Sequence, residues 1–339
     1  SLNGFISLPT INFKFHMIEH NISDQILKWY DINKRNLPWR YPKSKKQSEY
    51  FTLVSEVMLQ QTQVKTVIPY FNRFVKVIPN MEALSKISES KLLKLWEGLG
   101  YYSRARNLKK TATIIKKNLN SKLPNSINEL KKLPGIGDYT SRAILALEFD
   151  KKVIPLDGNI ERIIKRLLFL KKNKEIKKNY LMSKTIIFGN SIRQRDYVQA
   201  LMELGSLICK PNDPLCELCP INKRCISFKK KDFEIKKKTK KNKTKYFKAN
   251  IYIKRNKTFL IKNEKFTFLK DFLIFPMIEV KKLEYDRSNE KKINLKLSNM
   301  DMKILIKKSK KISVSNGQMI SQTKINSRII PSFTKKLFK

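Results

Sequence analysis

The chain has 339 residues, more than one compact domain usually holds, so two domains are expected. It carries 73 Lys and Arg against 28 Asp and Glu, a formal charge of +45, and its 41% apolar content is enough for a real core. No uncharged apolar run approaches the roughly eighteen residues of a membrane span, and the start lacks the basic flank of a secretory signal, so a membrane partner is excluded and a soluble intracellular protein is expected.

From Ile22 to about Ile208 the apolar residues recur at helical spacing. Ser88 to Trp96 puts Leu92, Leu93, Leu95 and Trp96 on one side, and Tyr139 to Leu147 puts Ala143, Ile144 and Leu147 on one face. Breaks such as Leu123-Pro124-Asn125-Ser126 separate such stretches, so the first two-thirds should be all-α. Lys229 to Lys245 is dominated by lysine and reads as a solvated linker. Short β-type runs follow at Ala249–Ile253, Thr258–Ile261, Phe272–Phe275 and Ser327–Ile330. The expected order is an extension over 1–20, a helical domain over 21–226, a linker over 227–246 and a smaller α/β domain over 247–339.

The run Leu53-Val54-Ser55-Glu56-Val57-Met58-Leu59 sets one carboxylate among apolar residues of a predicted helix. Burial would raise its pKa and suit it to general-acid work; an exposed glutamate on an amphipathic helix fits the pattern equally well. Gln60, Gln61 and Thr62 follow, with amide and hydroxyl groups able to hydrogen-bond bases or fill a gap between them. Next, Leu133-Pro134-Gly135-Ile136-Gly137-Asp138 lies between two helical stretches. Gly135 and Gly137 can take positive φ and let backbone approach a ligand, and the next helix would point its N–H groups at a phosphate. Such a helix-hairpin-helix motif holds a duplex without reading its sequence, although a lone G-x-G more often marks an ordinary turn.

Asp157 in Leu156-Asp157-Gly158-Asn159 precedes a predicted helix and suits an N-cap. A fixed anion of this kind also stabilises the positive charge that develops on a sugar when an N-glycosidic bond breaks. All four cysteines, Cys209, Cys216, Cys219 and Cys225, fall in one C-x6-C-x2-C-x5-C window. Such clustering argues for a metal site over a disulfide framework, and four thiolates suit zinc or an iron-sulfur cluster alike. The high charge agrees with a nucleic-acid partner; a bias toward Lys, Asn and Ile would raise it without functional meaning.

Together these blocks, with Leu37-Pro38-Trp39-Arg40 before them and Trp96-Glu97-Gly98-Leu99-Gly100-Tyr101-Tyr102 between, resemble the MutY family of adenine DNA glycosylases in the helix-hairpin-helix superfamily that includes endonuclease III. The resemblance runs from about Ile26 to Cys225. It implies a mainly α glycosylase fold, a six-helix barrel plus an iron-sulfur cluster domain, and then a small Nudix-like α/β domain. The implied activity is hydrolysis of the N-glycosidic bond of adenine mispaired with 8-oxoguanine or guanine in double-stranded DNA, by a monomer in a prokaryotic-type cytoplasm, close to the nucleoid.

By residue, the resemblance makes Glu56 the acid, Asp157 the carboxylate that stabilises or transiently bonds the sugar, and Asn159 its neighbour. Tyr139 stands where lyase-competent relatives carry a Schiff-base lysine, which implies a monofunctional enzyme, since a phenol forms no imine. Gln61 and Tyr101 enter the helix at the lesion, beside Leu59, while Arg35, Leu37, Trp39 and Gln199 line the adenine pocket. The four cysteines are expected to hold one 4Fe-4S cluster. In the C-terminal domain Phe272-Leu273-Ile274-Phe275-Pro276 lacks the Gly and Trp of the family motif, and Val314-Ser315-Asn316 lacks the aromatic ring and imidazole that flank the family's serine. Ser315 remains as a hydrogen-bonding group for the lesion, and without an acidic cluster no nucleotide hydrolysis is expected. The competing readings are a related glycosylase for another lesion or mismatch and a non-catalytic iron-sulfur DNA-binding protein.

Overall fold

The computed structural model describes residues 10–170, 176–234, 243–297, 300–312, 314–321, 323 and 330–337. Among the described residues twelve α-helices precede the first strand: α1 (Thr10–Asn33), α2 (Lys45–Leu59), α3 (Val64–Val77), α4 (Met81–Lys86), α5 (Glu89–Trp96), α6 (Ser103–Asn118), α7 (Ile127–Lys132), α8 (Asp138–Phe149), α9 (Gly158–Leu167), α10 (Lys178–Ser183), α11 (Gln194–Glu203) and α12 (Ile226–Lys229). Then come β1 (Lys243–Ile251), β2 (Ile253–Lys254), β3 (Lys257–Lys262), β4 (Leu273–Ile274), β5 (Met277–Val280), α13 (Lys282–Arg287), β6 (Lys291–Leu297), β7 (Met300–Lys308), β8 (Gly317–Ser321) and α14 (Ser332–Lys336). Among the described residues no helix is long and apolar enough to cross a membrane.

The chain divides into two compact units, one of residues 1–64, 80–85 and 110–238, the other of residues 65–79, 86–109 and 239–339. In the first, α1, α9 and α11 meet through Ile26, Tyr30, Ile160, Ile164, Tyr197 and Leu201, all almost fully buried. Cys209, Cys219 and Cys225 pack against the edge of that core. Helix α2 is buried along nearly its whole length, Ser48 to Met58, and crosses α8. The expected helix over Tyr139–Leu147 is α8, with Ala143, Ile144 and Leu147 buried, and the Leu123–Ser126 break ends in Ser126, whose hydroxyl caps α7.

In the second unit, the expected Ser88–Trp96 helix is α5; Ser88 is its cap, Leu92, Leu93 and Trp96 are buried, and the Trp96 ring meets Phe74 edge-on with centroids 6.0 Å apart. Among the described residues the strands form two four-stranded sheets. One has the order β5-β1-β7-β6, and in the other β3 pairs with β2, β4 and β8. Strand β1 is parallel to β7, with Phe247 opposite Ile304, and antiparallel to β5. It begins at Lys243, inside the lysine-rich 227–246 stretch, because pairing with β7 starts there, opposite Met300, while burial of the inward face starts only at Phe247. The expected runs at Ala249–Ile253, Thr258–Ile261 and Phe272–Phe275 correspond to β1 with β2, to β3 and to β4. The run at Ser327–Ile330 lies outside the described residues except Ile330, and β5 to β8 were not read from the sequence.

Candidate active site

Helix α2 brings Glu56 to the wall of a cavity of about 390 Å³ in the first unit. Because almost every side chain of α2 is buried, this carboxyl is desolvated: it is 6% exposed, its Oε2 has no hydrogen-bond partner, and its pKa is pushed up to about 7. Burial is the main cause; the negative Asp157 adds to it, and a hydrogen bond from the Tyr139 phenol opposes it. Tyr139, on the first turn of α8, is itself held well above the usual phenol range by burial and by the two carboxylates. It therefore stays a neutral donor.

Asp157 lines the same cavity and is also the N-cap of α9. Its Oδ1 accepts from the backbone of Asn159 at 3.0 Å and Ile160 at 2.7 Å, and its Oδ2 from Asn159 Nδ2 at 3.0 Å. Burial raises its pKa, and the hydrogen bonds from Ile160 and Asn159 offset only part of that rise. Asn159 is fixed in turn by Arg162, whose Nη2 donates to Asn159 Oδ1 at 2.8 Å and to the Gly205 carbonyl at 2.5 Å, and whose Nε donates to the Cys209 carbonyl. Gly205 is required there: a Cβ would stand 2.4 Å from Asn159 Cβ.

The structure brings together Arg35, Leu37, Trp39 and Gln199 around this cavity, and with them Leu59, Gln60, Gln61 and Thr62. Glu203 and Arg195 are among the further residues of the wall. Glu203, 1% exposed, accepts from Arg35 Nε at 2.7 Å and from Arg40 Nη2 at 2.8 Å, and so locks the Arg35–Arg40 segment to α11. Its position four residues after Gln199, on one helix face, was the available signal. Arg195, one turn before Gln199, also lines the cavity.

The hairpin between α7 and α8 has Gly135 at φ +80°, whereas Gly137 is an extended N-cap at φ −95°, so positive φ serves only the first glycine. Both are exposed. Gln61 and Tyr101 are also exposed, and each holds a left-handed backbone, at φ 57° and 46°, which side chains other than glycine adopt at a cost. Within the second unit, Tyr101 lies against the guanidinium of buried Arg104, 5.4 Å from the ring centroid, and Arg104 donates to the Leu99 and Gly100 carbonyls. Ser315 is exposed on the loop ahead of β8.

Cys209, Cys216, Cys219 and Cys225 line one small cavity with Arg166, Phe228 and Phe233. Buried Arg166, one turn after Arg162 on α9, donates to Cys209 Sγ at 3.4 Å and to the carbonyls of Lys210 and Pro211. Burial, then the neighbouring thiols, push Cys216 up to about 11, and burial pushes Cys219 up to about 12. Among the described residues no three His, Cys, Asp or Glu side chains are gathered to hold a single metal ion.

Residues 54–185 match the HhH-GPD superfamily of base excision DNA repair proteins. The adenine DNA glycosylase of Buchnera aphidicola subsp. Baizongia pistaciae is 43% identical over 259 residues, which span 74% of this chain and 72% of that protein. Among solved structures, a thermostable thymine-DNA glycosylase is 25% identical with a TM-score of 0.56, covering 65% of this chain and 100% of its own. Endonuclease III, in a non-covalent DNA complex, shares the fold at 20% identity and a TM-score of 0.53, covering 66% of this chain and 99% of its own. The chain belongs to the adenine DNA glycosylase family.

Proposed function

We propose that this protein is a monofunctional glycosylase that hydrolyses the N-glycosidic bond of adenine mispaired with 8-oxoguanine or guanine in duplex DNA. The observation that carries the reading is a buried carboxyl with a raised pKa, Glu56, sharing one cavity with a hydrogen-bonded carboxylate, Asp157. The cavity, about 390 Å³, is at the small end of ligand pockets, which run from about 300 to 1,000 Å³. It suits a single extruded base.

Near neutral pH Glu56 retains its proton in a substantial fraction of molecules and delivers it to an adenine ring nitrogen as the bond from the sugar to the base breaks. The bond electrons leave with the base, which departs neutral. Positive charge grows on the sugar, where the Asp157 carboxyl, oriented by three accepted hydrogen bonds, supplies the stabilising anion. Water supplies hydroxide to the sugar carbon and returns a proton to Glu56, so the site ends as it began. Among the described residues no lysine lines the cavity, and Tyr139 holds Glu56 by a hydrogen bond, which supports hydrolysis without an imine. Arg35, Arg40 and Glu203 form the wall against which the base is oriented.

The hairpin glycines and the general positive charge support duplex DNA as partner, and the αL-held Gln61 and Tyr101 support a wedge at the lesion. The C-terminal α/β domain, Nudix-like in this reading, offers Ser315 to the oxidised base. Cys209, Cys216, Cys219 and Cys225 suit one 4Fe-4S cluster: they line a common cavity without converging on one ion, and Arg166 offsets their negative charge as thiolates. When bound, such a cluster supplies a covalent tie across residues 209–225, next to the Arg162 contact that reaches Asn159. Single-turnover adenine release from duplexes with 8-oxoguanine or guanine opposite is the test. Release of thymine from a mismatch, with adenine retained, would overturn the reading.

A further inference from the structure

Ser48, Thr52, Glu56 and Gln60 recur every four residues and share one stripe of α2. The stripe is polar where a core helix would be apolar, and its groups bond to α8 at three levels. At one end Glu148 Oε1 accepts from Ser48 Oγ at 3.0 Å and from Thr52 Oγ1 at 2.5 Å. At the other, Gln60 Nε2 donates to Thr140 Oγ1 at 3.3 Å. Between them Glu56 meets Tyr139. The contact central to the chemistry is thus bracketed by two others.

Glu148 is the costly member of this ladder. Its side chain is 0% exposed, and Lys45 Nζ reaches its Oε2 at 3.1 Å. Arg195 stands 3.9 Å from Oε1 and donates to Ser48 Oγ at 3.2 Å. Burying a carboxylate is expensive unless it is paired and hydrogen-bonded, yet Glu148 does not line the reaction cavity, while its partners Thr52 and Arg195 do. Apolar contacts alone would let α2 settle at several registers along α8; two hydroxyls bonded to one fixed oxygen admit only one.

We propose that Glu148 is a positioning residue for Glu56: its carboxylate, gripped by Ser48 and Thr52, fixes the register of the helix carrying Glu56 against the helix carrying Tyr139. Glu148 acts through Thr52, one turn before Glu56. Releasing that turn admits water beside Glu56 and weakens its hydrogen bond to Tyr139. Solvation, the larger influence, then lowers the Glu56 pKa although the weakened Tyr139 bond works the other way. Of the charged groups around it, Asp157, Arg35, Arg40 and Glu203 keep their partners, and Arg195 loses Glu148 but keeps its bond to Ser48.

The inference rests on the reading of Glu56 as the acid, so the experiment carries both. Single-turnover release of adenine opposite 8-oxoguanine is followed from about pH 5 to pH 9 for the wild type, Glu148→Ala, Glu148→Gln, Thr52→Val and Glu56→Gln, with duplex affinity and melting measured alongside. Glu148→Ala is expected to slow release about tenfold, on the scale by which small misplacements slow reactions, to move the alkaline midpoint of the profile to lower pH, and to leave duplex affinity unchanged. Glu148→Gln keeps an acceptor for both hydroxyls and should restore most of the rate. Thr52→Val should slow release about threefold with the same direction of midpoint shift, and it decides the matter if Glu148→Ala does not fold. A lower melting temperature with an unmoved rate and midpoint, in folded Glu148→Ala or Thr52→Val, overturns the positioning role. Inactive Glu56→Gln with wild-type Glu148 variants overturns this inference alone, whereas active Glu56→Gln overturns the reading beneath it.

Discussion

The two units treat their candidate residues in opposite ways. In the helical one, Glu56, Glu148 and Glu203 are all buried, and the last two are tied to hydroxyls or cations while Glu56 is left with an unpartnered oxygen. In the β-rich one, Ser315 stands exposed on a loop between strands. Ionic groups that are buried and paired are held to one geometry by desolvation, because every alternative costs a bond with no water to replace it. An exposed hydroxyl meets no such constraint. The contrast teaches that the base-removing half of the proposed activity is built into the core, whereas selectivity through Ser315 depends on what a duplex adds.

The sharpest break of this contrast is at Glu56. Replacement by Gln removes the proton donor but little volume, and single-turnover adenine release should fall by about a thousandfold, within the range for a general acid. The same variant has a stability signature. The Glu56 pKa rises from 4.5 in the unfolded reference to about 7 in the fold. The folded chain therefore binds the proton more tightly, and this stabilisation is complete below about pH 4.5 and lost as pH rises through 7. Glu56→Gln should melt higher than the wild type at pH 8, by the equivalent of a few kcal/mol, and equally at about pH 4. Equal differences at the two pH values would mean that Glu56 is not desolvated.

Asp157→Asn should cost about a hundredfold in the same assay, because the developing positive charge loses its fixed anion. Its melting temperature should change little, since an asparagine caps a helix as well as an aspartate. A fall in stability with full activity would reverse the assignment, leaving Asp157 a cap alone. Glu203→Ala should cost stability as well as orientation of the base. It strands Arg40, only 12% exposed, without its carboxylate, and breaking a buried pair in this way costs about 3–5 kcal/mol. Urea unfolding reads that loss directly.

Much of the fold was legible because it is local. Ser88 and Ser126 cap their helices, Leu92, Leu93 and Trp96 mark one face, and Asp157 precedes α9 at cap spacing. What escaped is long-range or masked by charge. Glu203 takes its meaning from arginines 168 and 163 residues away, and Glu148 from hydroxyls 100 and 96 residues away, separations to which no helical period points. Strand β1 escaped because its first residues, Lys243, Thr244 and Lys245, are not buried and resemble a linker, although Phe247, Ala249 and Ile251 alternate inward. The positive φ of Gln61 and Tyr101 has no signature in residue type, since glycine is the usual marker of that region.

The smallest expected effect tests the other side of the comparison. Ser315 can offer an oxidised base one neutral hydrogen bond, worth about 1 kcal/mol net, and its exposed loop must be ordered to make it. Ser315→Ala should therefore change the ratio of adenine release opposite 8-oxoguanine to that opposite guanine by less than about fivefold. Tyr101→Ala removes a ring able to stack on a base, an interaction worth about 1–3 kcal/mol, and its left-handed backbone and Arg104 contact already hold that ring in place before DNA arrives. Its effect on the ratio should be the larger. If Ser315→Ala instead erased the preference while Tyr101→Ala spared it, lesion recognition would belong to the exposed loop of the β-rich domain, and rigidity before binding would not be what decides selectivity in this protein.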